Sequence, residues 1–319
     1  MTTFYTLTPR ALVLLASISE RLGEVNAGHL HHLSPLLRRA HRVSIIHATL
    51  ALEENPLDRR SIAELLAGRT ADAANTAELE VVNTIRLYDL LPSLHPFSGR
   101  DLRLAHGELM HGLAMDPGQY RSGDLEVVYG GRTGRRRAEG GNISSQVEQL
   151  LHFAENDEAP LMITGCVLHY GLINLRPFTA GNGRIARLWQ KLALMQQWPV
   201  FSFLPVEGFI QQHAQGYYRE LERADRQEDC GGFITFMLER IDEALHELLM
   251  RERTALSATD RMSAFLVARQ RGRFTRLDYR RMFPELSGAT ASRDLAQAVQ
   301  AGVLERTGTG RVAWYRPPA

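Results

Sequence analysis

The part of the chain best suited to chemistry is INLRPFTAGNGRIARLW, residues 173–189, in which a glycine-rich turn leads into a helical pattern. Gly181 and Gly183 allow unusual backbone angles, and Asn182 between them is a good helix N-cap. Backbone N–H groups at such a turn, with a helix N-terminus behind them, form an anion site. The turn therefore predicts binding of a negatively charged group.

Two arginines follow the turn and strengthen this interpretation. Arg184 and Arg187 are separated by one helical turn, so both guanidinium groups can reach the same anion. The alternative is an ordinary turn between two helices with arginines on the surface. These residues alone leave both interpretations open.

Helical periodicity surrounds the turn and covers most of the first 250 residues. Leu161, Gly165, Leu168 and Leu172 recur at helical spacing before it, which predicts a helix on that side. A segment at 118–142 breaks the pattern with LEVVY and several glycines and arginines, and it predicts a β-hairpin. Further helices are predicted at about 8–24, 34–53, 59–68, 76–92, 100–113, 143–155, 207–223 and 230–253.

The pattern changes after residue 255, where a short helix, a turn, a second helix and two short strands are predicted. This order is typical of a winged helix-turn-helix. Residues 251–319 hold 13 arginines against 6 acidic residues, a net charge of +7, while the whole chain carries +1. A basic C-terminal region on an acidic body indicates a negatively charged partner for that region.

Bulk properties indicate a soluble, cytoplasmic protein. The chain has 319 residues, of which 44% are hydrophobic and 23% charged. No apolar stretch approaches the roughly 20 residues that span a bilayer, so we expect no membrane association. The sequence has two cysteines, Cys166 and Cys230, and they lie far apart along the chain. This favours a reducing compartment without a disulfide framework.

RPFTAGNGRIAR resembles the signature of Fic-domain (Fic/DOC) proteins, His-Pro-Phe-x-Asp/Glu-Gly-Asn-Gly-Arg-x-x-Arg. The flanking LHYGLIN, QKLALMQQWPV, YYRELERAD and GQYRSGDLEVVYGG also resemble family segments. The resemblance implies a mainly α protein, a Fic-fold helical bundle with a β-hairpin flap, followed by a small winged helix-turn-helix domain. We expect an N-terminal helical region at 1–98, a Fic core at 99–253 with its flap at about 118–140, and the winged helix at 256–319.

In the family, the usual reaction transfers AMP from ATP to a Ser, Thr or Tyr hydroxyl of a target protein. The resemblance places Arg176 at the position of the catalytic histidine and Ala180 at that of the acidic Mg²⁺ ligand. An arginine cannot accept a proton at physiological pH, and an alanine side chain offers a metal no oxygen. We therefore expect binding of ATP or another nucleotide with impaired or absent transfer, and Mg²⁺ binding is doubtful. His169, two helical turns before Arg176, is a candidate for a substitute base, but an ordinary helix residue is the favoured interpretation.

The resemblance also implies which residues contact the nucleotide. The turn would cradle the phosphates, the segment containing Tyr217 would lie near the adenine, and the flap would dock the target. The predicted nucleotide-binding residues are Gly181, Asn182, Gly183, Arg184, Arg187, Tyr129, Gly130, Tyr217, Tyr218 and Asp225.

ATLALEENPLD, residues 48–58, resembles the inhibitory helix of Fic proteins that carry their own regulator. Thr49 and Glu53 match that motif within a helix predicted at about 36–54, which Pro56 should end. A carboxylate at a helix C-terminus is disfavoured by the macrodipole and needs a cation. By resemblance that cation is Arg187.

The C-terminal region offers candidates for DNA contact. Thr290, Ser292 and Arg293 begin the second helix of the predicted motif, and Arg306 and Arg311 flank the turn of the wing. Protein contact or dimerisation is the competing use of this region.

Three functions stay open: an impaired nucleotide-binding Fic protein, a DNA-binding regulator with the Fic body as sensor or dimerisation platform, and a transferase with an altered donor or mechanism. A target protein, DNA and a second copy of the chain are the macromolecular partners left open.

Overall fold

A computed structural model describes residues 5–27, 35–71, 75–129, 132–138, 140–255, 258–269, 272–283, 286–308 and 313–318. Backbone contacts divide the chain into two compact units, residues 1–245 and 246–319. The fold is mainly α-helical, as predicted. None of the described helices combines the length and apolar character that crossing a bilayer requires. The division into three regions stays a prediction.

The first unit contains ten helices within its described residues, and an eleventh helix, α11, extends past residue 245. Two short 3-10 helices, Leu91–Ser93 and Pro199–Ser202, lie between them. The α-helices are α1 Pro9–Ala27, α2 Pro35–Ala51, α3 Arg59–Leu66, α4 Thr76–Leu90, α5 Gly99–Leu109, α6 Ile143–Asn156, α7 Leu161–Leu175, α8 Asn182–Met195, α9 Val206–Gln212, α10 Ala214–Gln227 and α11 Gly231–Ala255.

Helix α7 is the centre of the first unit. Every residue from Met162 to Leu175 is buried, because the helix is almost entirely apolar and packs against α6 and α8. Helix α8 is also buried along most of its length, whereas α1 buries one stripe that includes Leu14, Ile18 and Leu22. A helix buried on all sides holds its C-terminal end, where the glycine-rich turn begins, in a fixed position.

The predicted helix at 207–223 is two helices. The backbone of His213 leaves helical geometry at φ −114° and ψ 31°, and α9 ends before it while α10 begins after it. The His213 N–H still bonds the Phe209 and Ile210 carbonyls. Neither glycine nor proline marks this break, so periodicity alone extends one helix across it.

The predicted flap contains an antiparallel hairpin of β1 Leu125–Tyr129 and β2 Arg132–Ala138, with Leu125 opposite Ala138. The register shifts between Glu126 and Val128. The Gly140 N–H donates to Asp124 Oδ1 at 2.6 Å, so the two chain ends of the hairpin are joined at its base.

The second unit has its own core around Phe265, Phe274, Tyr279 and Leu295. A buried ion pair supports it: Arg261 donates from Nε and Nη2 to the two carboxylate oxygens of Asp294 at 2.7 and 2.9 Å. Its elements after α11 are α12 Ala258–Arg269, α13 Arg276–Met282, α14 Gly288–Gln300, β3 Glu305–Thr307 and β4 Trp314–Arg316, with β3 and β4 antiparallel.

Candidate nucleotide site

Arg176 ends α7 in the left-handed region, at φ 46° and ψ 67°. Its N–H bonds the Leu172 carbonyl at 3.0 Å, and its own carbonyl accepts from Arg121 Nε at 2.6 Å. Arg121 also donates to the carbonyls of Leu175, at 2.9 Å, and Gly123. A buried guanidinium thus satisfies carbonyls that the end of a helix leaves unpaired. Arg121 was not predicted, because its sequence neighbourhood gives no sign of this contact.

The turn after Arg176 is closed by Asn182. Its Oδ1 accepts from the Phe178 N–H at 3.0 Å, and its Nδ2 donates to the Phe178 carbonyl at 2.8 Å. Gly181, with φ 73°, is the residue at the N-cap position of α8. The expectation that Asn182 is the N-cap is wrong, because its side chain is used across the turn instead.

His106 on α5 packs against this turn, and nothing in the neighbouring sequence indicates the contact. Its ring stacks on Phe178, with centroids 3.6 Å apart and planes 2° apart. Its Nδ1 accepts from the Gly118 N–H at 2.9 Å, so Nε2 carries the proton and donates to the Ala180 carbonyl at 3.0 Å. Burial disfavours the charged ring and lowers the pKa of His106 to about 4. His106 is therefore a neutral brace for the turn.

Arg184 is buried, with 8% of its side chain exposed. Its Nη1 lies 3.2 Å from Glu80 Oε1, and its Nη2 lies 3.4 Å from Met110 Sδ. Within the described residues, neither Nε nor Nη1 has a hydrogen-bond acceptor. Since buried N–H groups normally find acceptors, Arg184 retains unused capacity for an anion.

Arg187 is held by the end of α2. Its Nε donates to Thr49 Oγ1 at 2.9 Å, and its Nη2 donates to the Thr49 carbonyl at 3.0 Å and to Glu53 Oε1 at 2.8 Å. Burial acts to raise the pKa of Glu53, but the adjacent Arg187 outweighs it and leaves that pKa lowered. The structure thus contains the predicted pair, while its inhibitory role stays a prediction.

The segment with Glu53 follows the helix, because α2 ends at Ala51, before Pro56. Asn55 N–H bonds the Leu50 carbonyl, and Glu54 N–H bonds that of Ala51, with Glu54 at φ 65°. These two bonds and the left-handed residue form a Schellman motif. The motif ends the helix before the proline does.

A buried hydrogen-bond chain lies behind Arg187. Gln190 Nε2 donates to Cys166 Sγ at 3.2 Å, so Gln190 Oε1 accepts from His169 Nδ1 at 2.7 Å. His169 Nε2 then accepts from the Tyr217 hydroxyl at 2.9 Å. Burial lowers the pKa of His169 to about 3. With both ring nitrogens engaged inside the core, His169 is poorly suited to act as a substitute base.

The structure describes most of the other residues predicted to contact the nucleotide. Tyr217 is 1% exposed, and Tyr218 donates to the Leu52 carbonyl at 2.7 Å. Asp225 Oδ1 accepts from Tyr170 and Asn174 at 3.0 and 2.8 Å. Tyr129 is the last residue of β1, and Gly130 lies outside the described residues. Their contacts with a nucleotide stay predictions.

The predicted DNA-binding residues belong to the second unit. Ser287 caps α14 by accepting from the Thr290 N–H at 3.0 Å, and Ser292 accepts from Arg276 Nη1 at 2.8 Å. Arg293 and Arg306 are exposed. Arg311 lies outside the described residues.

Magnesium is a poor fit to the turn. Ala180 has no side-chain oxygen, and its carbonyl already accepts from His106. Among the described residues, no three His, Cys, Asp or Glu side chains converge as metal ligands. The position that the family resemblance assigns to the acidic ligand therefore holds no suitable donor.

Comparisons with known proteins agree with this geometry. Residues 96–194 match the model of the Fic/DOC family. The chain is similar to a Fic family protein from Desulfovibrio desulfuricans, with 29% identity over 100% of this chain and 99% of that chain and a TM-score of 0.75. It shares its fold with Fic-1 from C. elegans, at 19% identity over 77% of this chain and 74% of that chain, TM-score 0.62. A Fic domain containing signaling protein from Bacteroides thetaiotaomicron, at 16% identity over 75% and 96% of the two chains, has a TM-score of 0.54. Residues 96–194 therefore contain a Fic domain.

Proposed function

We propose that this Fic domain binds the phosphates of a nucleoside triphosphate, ATP in the first instance, and has lost most or all of the usual AMP transfer. The observation that carries the proposal is Arg184, a buried cation whose Nε and Nη1 lack acceptors among the described residues. It belongs to the first turn of α8, where backbone N–H groups and the helix dipole favour an anion. A phosphate there would supply the missing acceptors.

AMP transfer lacks the usual general base at the motif position. The guanidinium of Arg176 offers donors but no acceptor for a proton, and the left-handed backbone of Arg176 is fixed by Arg121. Two buried histidines, His106 and His169, use both ring nitrogens in hydrogen bonds within the protein. Loss of a general base costs about 10²- to 10⁴-fold in rate. The missing acidic side chain at Ala180 removes a further source of charge stabilisation.

Calorimetric titration of ATP, with and without Mg²⁺, tests the binding. We expect binding to the full chain that Arg184→Ala weakens and that the exposed control Arg60→Ala leaves unchanged. Absence of binding in both conditions, for the natural chain and for Glu53→Gly, would overturn the proposal. Mass spectrometry after incubation with each nucleoside triphosphate separates this function from a transferase with an altered donor, which would leave a covalent adduct.

The second unit supports a second candidate function, DNA binding. Arg293 on α14 and Arg306 on β3 are exposed, and residues 251–319 carry a net charge of +7. Phosphate contacts predict gel-shift retention that weakens between about 50 and about 200 mM salt. Arg293→Ala should reduce retention, whereas Arg10→Ala, an equal charge change in the first unit, should not. No retention at low salt would favour the use of this unit for protein contacts.

A further inference from the structure

Glu80 on α4 holds the other arginine of the turn. Its Oε1 lies 3.2 Å from Arg184 Nη1, and its side chain is 20% exposed against 8% for Arg184. The contact is an ion pair without hydrogen-bond geometry, since Arg184 Nη1 has no hydrogen-bond acceptor in the described part of the chain. Charge, without a directed hydrogen bond, therefore holds Arg184 to Glu80, and a phosphate with correct geometry would compete with Glu80 for Arg184.

Asn55 connects Glu80 to the segment that carries Glu53. Its Nδ2 donates to Glu80 Oε2 at 2.7 Å and to the Ala77 carbonyl at 3.1 Å. Its backbone N–H completes the Schellman motif at the end of α2, two residues after Glu53. One amide side chain thus joins α4 to the turn that follows α2.

The two carboxylates neutralise the two arginines separately. Glu53 accepts from Arg187, and Glu80 pairs with Arg184, one helical turn earlier on α8. A bound triphosphate would need both guanidinium groups and would face two negative charges beside them. Displacing one carboxylate leaves the other in place, unless the two move together.

We propose that Glu53, Glu80 and Asn55 form a paired latch on the phosphate-binding turn, in which Asn55 makes the two carboxylates release together. The inference rests on the proposed nucleotide function and adds its regulation. Glu80 neutralises the charge of Arg184, as Glu53 neutralises that of Arg187. A ligand or partner that displaces either carboxylate frees both arginines.

ATP titration of the full chain tests the latch. We expect Glu80→Gln and Glu53→Gln each to tighten ATP binding by about 10-fold, because each removes a competing charge. The double variant should gain less than the product of the two single gains, since either change releases both arginines. Glu78→Gln is the matched control on the same helix, because Glu78 pairs with Arg69, and its ATP affinity should stay within about twofold of the natural chain.

Asn55→Ala tests the connection, because it leaves both carboxylates in place. We expect it to tighten ATP binding and to speed phenylglyoxal modification of Arg184 and Arg187, read by peptide mass spectrometry. Unchanged labelling of both arginines in a variant with a normal melting temperature would overturn the connection. A double-variant gain equal to the product of the single gains would also overturn it.

The two readouts separate failure of the latch from failure of nucleotide binding. If Glu53→Gln tightens ATP binding and Glu80→Gln leaves it unchanged or weakens it, Glu80 is no latch and the nucleotide site stands. If no variant binds ATP but Glu80→Gln speeds labelling of Arg184, the latch stands and the nucleotide function fails. If neither readout moves in any variant, both ideas fail.

Discussion

Arg187 Nη2 lies 2.8 Å from Glu53 Oε1, although 134 positions separate the two residues along the chain. The pair joins the segment after α2 to α8, the helix that follows the glycine-rich turn. Two residues that belong to different sequence motifs therefore form one contact.

Glu53→Gly should tighten ATP binding by roughly 10-fold, because it removes both the acceptor that occupies Arg187 and a negative charge beside the phosphates. Calorimetry on the full chain measures the change. Glu54→Gln is the control, since it removes the neighbouring exposed charge. Equal affinities for Glu53→Gly and the natural chain would contradict an inhibitory role for Glu53.

Arg176→His combined with Ala180→Asp, in a Glu53→Gly background, should restore AMP transfer. Histidine tolerates the left-handed backbone of residue 176 better than most side chains, so the exchange keeps the local structure. We expect a gain of about 10²-fold or more in transfer, detected as AMP on protein by mass spectrometry. Arg176→Gln with Ala180→Asn provides no base and no charge and should stay inactive. A restored pair that binds ATP without transfer would show that more than these two positions has been lost.

Acid should destabilise the fold through the buried neutral histidines. The folded pKa values of His106 and His169 are about 4 and about 3, below the ordinary value of 6.5. Below pH 6.5 these histidines bind protons in the unfolded chain but stay neutral in the folded chain. Their contribution to the free energy of unfolding is therefore fully present above pH 6.5 and decreases as the pH falls towards 4. Each histidine contributes a slope of at most about 1.4 kcal/mol per pH unit.

Urea unfolding between pH 4 and 6.5 measures this slope for His106→Gln against the natural chain. The variant should lose less free energy of unfolding on acidification, while His213→Gln, which removes an exposed histidine, should behave as the natural chain does. An unchanged slope for His106→Gln would show that His106 is not held neutral.

Glu54→Gly should raise the free energy of unfolding by about 1 kcal/mol, because Glu54 has a left-handed backbone at φ 65° that glycine adopts without strain. Urea midpoints compare it with Glu54→Gln, which removes the charge and keeps the Cβ atom. Equal midpoints for the two variants would mean that residue 54 carries no backbone strain.

Gly181→Ala should lower the free energy of unfolding by about 1–3 kcal/mol. Gly181 has φ 73°, and a Cβ atom there would meet Met110 Sδ at 2.7 Å and His106 Nε2 at 3.5 Å. Gly208→Ala is the control, because a Cβ atom at that helical position meets nothing within 4 Å. Similar thermal melting of both variants would contradict the close packing of the turn.

Local patterns were sufficient to predict much of this molecule. The apolar run of α7, the glycine-rich turn after it and the hairpin of 118–142 are properties of neighbouring residues, and the structure has all three. The break at His213 could not be predicted, because no glycine or proline marks it. The early end of α2 depends on Glu54 adopting a left-handed backbone, which sequence does not favour for glutamate.

The candidate site likewise has some contacts that the sequence could predict and others that it could not. The ion pair of Arg187 with Glu53 could be predicted because both residues belong to recognisable motifs. Glu80, His106 and Arg121 reach the turn through the packing of α4, α5 and the base of the hairpin. Nothing in their own sequence neighbourhoods distinguishes them from ordinary helix and loop residues, so only the assembled fold brings them to the turn.

Arg121 and the joined ends of the hairpin make the flap exchangeable. Arg121 fastens the chain before β1 to the end of α7, and Gly140 bonds Asp124 just beyond it. An insertion closed at its own base can change in length and composition while its anchor stays in place. A chain with this arrangement can change the surface of one hairpin without disturbing the glycine-rich turn at the end of α7.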